Sequence, residues 1–109
     1  MVSNYGGLLT PGVAAPMEML PSIADAVGKV PILIDGSFRR GSDVFKALAF
    51  GGTAVMVARP VVRGLAAYGW EGAQQVLEML QTEVARDMAQ TGKPTLKDID
   101  RSVVKLHQV

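Results

Sequence analysis

Hydrophobic residues recur along the chain in two patterns, helical spacing and short uninterrupted runs. Apolar positions three and four residues apart predict helices at about 18–27, 42–50 and 71–90. Two short apolar runs, 30–35 and 53–58, predict strands that are buried on both faces. The patterning therefore predicts a chain in which helices and strands alternate.

The order of these elements predicts an α/β fold. Residues 2–4 resemble the end of a strand, so the order is strand end, helix, strand, helix, strand and helix. Such alternation is typical of βαβ units with right-handed crossovers and a parallel sheet. Ser42 is the predicted N-cap of the second helix. Thr95 resembles the cap of a last short helix that reaches about Val103.

The ends of the predicted strands contain the candidate chemistry, because α/β folds bind ligands beyond the carboxyl ends of their strands. Arg39 and Arg40 follow the first run, and Arg59 follows the second. Guanidinium groups beside glycine-rich backbone bind phosphate well. The alternative is that these arginines are solvated or form ion pairs with Asp35 and Asp43.

The same segments resemble the C-terminal part of the FMN-dependent α-hydroxy-acid oxidase and dehydrogenase family, which includes glycolate and lactate oxidases. Val-Ser-Asn-Tyr-Gly-Gly at 2–7, the run at 31–49 and Ala-Arg-Pro at 58–60 carry the resemblance. It covers essentially all 109 residues. It implies a single fragment, 1–109, of a TIM (β/α)8 barrel, containing about the last three βα units.

The resemblance implies FMN as cofactor and assigns eight residues to its binding: Ser3, Asp35, Gly36, Ser37, Phe38, Arg39, Ala58 and Arg59. Asp35 matches an aspartate near the ribityl chain, and Ser3 matches a serine near the flavin. Residues 36–38 match the phosphate loop, and Arg39 matches the phosphate-binding arginine. Ala58 and Arg59 match a glycine–arginine pair that completes the site, and alanine still offers its backbone N–H.

Two positions depart from the family's catalytic motif. Tyr5 stands where the family has a histidine that takes a proton from the 2-hydroxy acid, and Leu8 stands where an arginine binds the carboxylate. A phenol keeps its proton at neutral pH, and leucine cannot form a bidentate pair. One interpretation is a fragment or truncated homologue of an oxidase of L-2-hydroxy acids such as lactate or glycolate. The alternative is a non-catalytic FMN-binding, phosphate-binding or assembly module.

Composition and charge argue against several other classes of function. Eleven basic and ten acidic residues give a net charge of +1, so no strong overall field attracts nucleic acid or an anionic membrane. The chain has no cysteine, and its only histidine is His107, so we expect neither thiolate catalysis nor a metal site. No targeting or membrane-spanning pattern is present, which predicts a cytoplasmic protein. Uncovered edges on both strands would favour self-association or pairing with a complementary barrel fragment.

Overall fold

The computed structural model describes residues 1–105, so His107 lies outside the described residues. Helices and strands alternate in the predicted order. The bounds are α1 Pro16–Val27, β1 Leu33–Asp35, α2 Gly41–Ala49, β2 Ala54–Met56 and α3 Arg59–Thr91. Single turns of 3-10 helix occupy Tyr5–Gly7, Leu96–Asp98 and Arg101–Val103.

The two strands and the N-terminal segment form a small parallel sheet. β1 pairs with β2 in the register Leu33 to Ala54, and Val2 forms a parallel bridge to Ile34 on the other side. The Asp35 amide donates to the Val2 carbonyl at 2.9 Å. Both edges of β1 are therefore paired, so the predicted open edge at 30–35 is wrong. Within residues 1–105, β2 pairs on one side only.

Burial along the strands alternates. Ile34 is fully buried, whereas its neighbour Leu33 is 43% exposed and Met56 on β2 is 44% exposed. The prediction of strands buried on both faces is therefore wrong for the described residues, because none of them covers the second face. The other face packs on the helices. Its core cluster contains Leu20, Ile32, Ile34, Phe38, Ala47 and Phe50.

The long C-terminal helix begins twelve residues earlier than predicted, at Arg59 rather than Glu71, and bends at Tyr68 and Gly69. Gly69 has φ 65° and ψ −151°, a conformation that is essentially restricted to glycine. The two parts of α3, before and after the bend, come very close together. A Cβ on Gly72 would lie 2.2 Å from the carbonyl oxygen of Gly64. Glycines that weaken the helical pattern in the sequence are thus what allows the bend.

Of the two predicted helix caps, Ser42 and Thr95, the structure confirms only the second. The predicted N-cap Ser42 is wrong, because α2 begins at Gly41 and Arg40 is its N-cap. The Asp43 carboxylate accepts from the amides of Arg39 and Arg40 at 3.2 and 3.0 Å. The cap at Thr95 is confirmed, since its amide donates to Asp98 at 2.9 Å. The predicted last helix is nevertheless two separate turns.

Candidate functional site

A cleft of about 230 Å³ lies at the carboxyl ends of β1 and β2. Three segments form its walls: the turn that follows Val2, the loop between β1 and α2, and the connection from β2 into α3. Its lining consists of Tyr5, Gly6, Leu8, Asp35, Gly36, Ser37, Phe38, Arg39, Met56, Val57, Ala58, Arg59, Pro60 and Arg63. The parallel sheet thus brings together segments that are distant in sequence.

Eight of the nine residues predicted for the site line this cleft, namely Tyr5, Asp35, Gly36, Ser37, Phe38, Arg39, Ala58 and Arg59. The ninth, Ser3, contacts the site through its hydroxyl. Its Oγ donates to Oδ2 of Asp35 at 3.0 Å and accepts from the amide of Tyr5 at 3.2 Å. Ser3 therefore links the N-terminal turn to the carboxylate at the end of β1.

The loop between β1 and α2 has an unusual backbone. Gly36 has φ +131°, and a Cβ there would lie 2.9 Å from Cγ of Pro16. Ser37 has φ +63°, which is uncommon for a residue with a side chain. Phe38 is only 4% exposed and anchors the loop in the core. Residues held in such conformations cluster at functional sites.

The arginines around this loop have different partners. Arg40 forms an ion pair with Glu83, whereas residues 1–105 provide no ion pair to Arg39, Arg59 or Arg63. Asp35 accepts from Ser3, and the Asp43 carboxylate accepts from backbone amides. The alternative prediction, in which these carboxylates pair with the arginines, is therefore wrong within the described residues.

Arg59 lies against the N-terminal turn. A Cβ on Gly6 would come within 2.6 Å of Nη2 of Arg59. Gly6 also has φ +67°, a backbone conformation that favours glycine, whereas the guanidinium is the end of a flexible side chain that a substitution could displace. The absence of a side chain at residue 6 thus lets the guanidinium lie at the mouth of the cleft.

Arg63 is a cleft residue that the sequence analysis missed. It follows Arg59 by four residues on α3, a spacing that places both side chains on one helix face. The hydrophobic pattern predicts a helix only from Glu71, so it does not place Arg63 on one helix with Arg59. Pro60, a residue favoured in the first turn of helices, is the signal that could have indicated the earlier start.

Asn4 contributes an unsatisfied acceptor beside the loop. Its Nδ2 donates to the Ala14 carbonyl at 3.4 Å. Its Oδ1 is buried and has no hydrogen-bond partner among the described residues. It lies 3.6 Å from where a Cβ on Gly36 would be. Buried acceptors are normally satisfied, so Oδ1 is a point at which a ligand or water could donate.

Glu83 is a buried carboxylate on α3. Its position on α3 is typical of a solvated helix face, yet the residue is only 7% exposed. Its carboxylate accepts from the Gly41 amide at 2.6 Å and from Nη2 of Arg40 at 2.7 Å. The Gly41 amide, followed by the Arg40 guanidinium, lowers the pKa of Glu83 below its ordinary value despite its burial. This network lies directly behind the loop that precedes α2.

Metal binding and membrane insertion receive no positive indication from the described part of the chain. Residues 1–105 contain no cluster of three or more acidic or histidine side chains placed to hold a metal ion. None of their helices, α3 included, has both the length and the apolar character to cross a membrane. The cytoplasmic location and the absence of a nucleic-acid partner stay predictions.

Fold and site together define an α/β unit with an arginine-lined cleft at the carboxyl ends of two parallel strands. Residues 1–106 match the FMN-dependent dehydrogenase family, and the chain belongs to that family, whose cofactor is FMN. It is 51% identical to the L-lactate oxidase of a Roseobacter species and 47% identical to human 2-hydroxyacid oxidase 1, over 91% and 96% of this chain. A soluble mutant of the membrane-associated (S)-mandelate dehydrogenase of Pseudomonas putida superimposes with a TM-score of 0.91 at 40% identity over 95% of this chain.

The match covers only part of each relative. The chain spans 27% and 29% of the lengths of those two oxidases and 30% of the mandelate dehydrogenase chain. Its structural neighbours are TIM-barrel flavoenzymes, and its two parallel strands with their helices are consistent with part of such a barrel.

Proposed function

We propose that this chain contributes the FMN phosphate-binding part of a flavoprotein that oxidises small 2-hydroxy acids, and that it represents about the last three βα units of the barrel. One observation carries the proposal. The cleft gathers Arg39, Arg59 and a glycine-containing loop at the strand ends, with no carboxylate paired to either guanidinium among residues 1–105.

The donors in the cleft suit a phosphate dianion. Guanidinium groups form short, charge-assisted hydrogen bonds to phosphate oxygens, and backbone amides add further donors. Gly36, Ser37 and Phe38 all line the cleft, and the first two have positive φ. These features support Arg39, Arg59, Ala58 and the amides of 36–38 as the phosphate ligands.

The volume of the cleft supports a partial site. Pockets that enclose a whole drug-sized ligand usually measure about 300–1,000 Å³. The cleft, at about 230 Å³, suits the phosphate and the adjoining part of the ribityl chain rather than the whole cofactor. Asp35, oriented by Ser3, would then contact the ribityl hydroxyls.

The residues at the catalytic positions favour weak or absent oxidation by the chain alone. Bound FMN would supply the acceptor for a hydride equivalent from the substrate's α-carbon. Tyr5 and Leu8 are 70% and 76% exposed at the rim of the cleft. A phenol is a poor base at neutral pH, and leucine offers no charge to a carboxylate. This favours the second candidate, a non-catalytic FMN-binding, phosphate-binding or assembly module.

An FMN titration tests the phosphate assignment. Retention of flavin absorption after desalting would support it. Replacing both Arg39 and Arg59 with alanine should weaken binding by about 3 kcal/mol, roughly a hundredfold rise in Kd. The matched control replaces Lys29 and Lys97, two exposed lysines outside the cleft, and removes the same charge. Unchanged affinity in the double-arginine variant would contradict the assignment.

Anaerobic addition of lactate or glycolate to the FMN-loaded protein separates the two candidate functions. Bleaching of the flavin would support a working oxidase. Retained colour would favour the non-catalytic module. Restoring the family residues, Tyr5→His with Leu8→Arg, should then be tested for a gain of bleaching, because it returns the base and the carboxylate-binding cation together.

We also propose that the chain associates with a second copy or with a complementary barrel fragment. The outer edge of β2 has no strand partner among residues 1–105, and an apolar groove of about 480 Å³ lies beside it between α2 and α3. Leu77 in this groove is 46% exposed. Open strand edges beside apolar surface favour association. A clean monomer at micromolar concentration in size-exclusion chromatography would contradict this proposal.

A further inference from the structure

Two neighbouring arginines follow the loop, but only one lines the cleft. Arg39 lines it, whereas Arg40 is turned toward α3, where Nη2 and Nε contact the two carboxylate oxygens of Glu83 at 2.7 and 3.2 Å. The same carboxylate accepts from the Gly41 amide at 2.6 Å. Glu83 therefore binds the second arginine and the first residue of α2 at once.

We propose that Glu83 is a positioning residue for FMN phosphate binding, acting through the loop that carries Arg39. The inference rests on the proposed function. Glu83 holds Arg40 and the Gly41 amide against α3. In doing so it sets the direction in which Arg39 presents its guanidinium. Glu83 itself does not line the cleft.

The loop is held at several points, so the contact of Glu83 with Arg40 and Gly41 can fix the position of Arg39. Phe38 is buried in the core, and the Asp43 carboxylate accepts from the amides of Arg39 and Arg40. Gly41 abuts α3 so closely that a Cβ there would lie 2.3 Å from Cβ of Glu83. Between these anchors Arg39 lines the cleft, whereas Arg40 is bound to Glu83.

Charge also favours this role. Glu83 neutralises Arg40 on the far side of the loop, while residues 1–105 provide no ion pair to Arg39, Arg59 or Arg63 at the cleft. Its carboxylate is close to Arg86 as well, at 3.9 Å, so the buried acid faces two cations and one amide. A glutamine at 83 would keep the volume and one acceptor oxygen but lose the charge that holds Arg40.

A double-mutant cycle on the full chain tests the proposal with FMN as the probe. Glu83→Gln should raise the Kd for FMN about tenfold in the native background. On an Arg39→Ala background the same substitution should change the Kd by less than about twofold, because the side chain through which Glu83 acts is already gone. A purely structural role would instead give the same fold-change in both backgrounds.

Asp25→Asn provides a matched control. Asp25 forms a two-point ion pair with Arg101, at 2.7 and 3.2 Å, and neither residue lines the cleft. Asp25→Asn should lower the melting temperature and leave the Kd for FMN unchanged. If Glu83→Gln does not fold, Arg40→Lys takes its place in the cycle, since lysine keeps the charge but cannot make the two-point contact.

Each outcome supports or overturns the inference. An unchanged Kd for FMN in Glu83→Gln, or an equal fold-change in both backgrounds, would overturn the positioning role. The proposed phosphate binding would still be supported if Arg39→Ala alone raises the Kd. No FMN binding by the native chain would overturn the proposed function, and this inference with it. A tenfold effect that disappears with Arg39 would support both.

Discussion

Gly41→Ala is the substitution whose effect can be worked out most directly from the structure. A Cβ at residue 41 would lie 2.3 Å from Cβ of Glu83, 2.6 Å from the Val84 amide nitrogen and 2.7 Å from the Leu80 carbonyl oxygen. Two of these atoms are helix backbone, so no side-chain rotation can relieve the contact. α2 must therefore move away from α3.

The size of the effect follows from that movement. A shift of about 1 Å would lengthen the bond from the Gly41 amide to Glu83 from 2.6 Å to about 3.6 Å, beyond hydrogen-bonding range. Overpacking of this kind costs about 1–3 kcal/mol, and backbone obstruction places Gly41→Ala at the upper end, about 3 kcal/mol. That is a large part of the ~5–15 kcal/mol that stabilises a typical domain.

Urea unfolding followed by far-UV circular dichroism measures this change. Trp70, the only tryptophan, is already 67% exposed, so its fluorescence is a poor reporter of unfolding. Gly12→Ala is the control: it has open space around it, and only its φ of +77° opposes a side chain, at a cost of about 1 kcal/mol. A loss of stability in Gly41→Ala no greater than that in Gly12→Ala would contradict the clash with α3.

Three further predictions concern acidity, the helix bend and the core. Because its partners lower the pKa of Glu83 in the folded state, its contribution to stability is complete above the ordinary value of 4.5 and is lost as the pH falls through the lowered value. Glu83→Gln should therefore reduce the loss of melting temperature on acidification, whereas Glu78→Gln, on the exposed side of α3, should not. Gly69→Ala should cost about 1–3 kcal/mol through its backbone conformation, and an unchanged urea midpoint would contradict that. Ile34→Ala, at a fully buried position, should cost about 2–5 kcal/mol, and Leu33→Ala, at a 43% exposed position, clearly less in the same assay.

Much of the candidate site could be predicted from the sequence because it depends on the order of strands and helices and on the residues at the strand ends. The apolar runs predict strands that end at Asp35 and at Ala58, and parallel strands bring their carboxyl ends to one edge of a sheet. Arg39 and Arg59 therefore had to lie near each other once the alternation of helices and strands was recognised. Their contacts with neighbouring residues could not be predicted in the same way.

The two arginines that follow β1 illustrate this limit. Arg39 and Arg40 are chemically identical neighbours, and no local pattern distinguishes them. The structure separates them because α3 crosses behind the loop and presents Glu83 to Arg40 only. Arg63 is not predicted for a related reason. Glycines at 64 and 69 weaken the helical pattern there, and the helix is stabilised by packing between its parts before and after the bend.

The sequence alone determined the order of the elements, the parallel α/β class and the residues at the strand ends, because these follow from hydrophobic periodicity and turn residues along a single segment. Only the tertiary structure decided which charges are buried and which side chains line the cleft. Glu83 shows the physical reason. On an isolated helix it would be a solvated carboxylate, and its burial becomes favourable only because α2 brings an unpaired amide and a guanidinium from more than forty residues away.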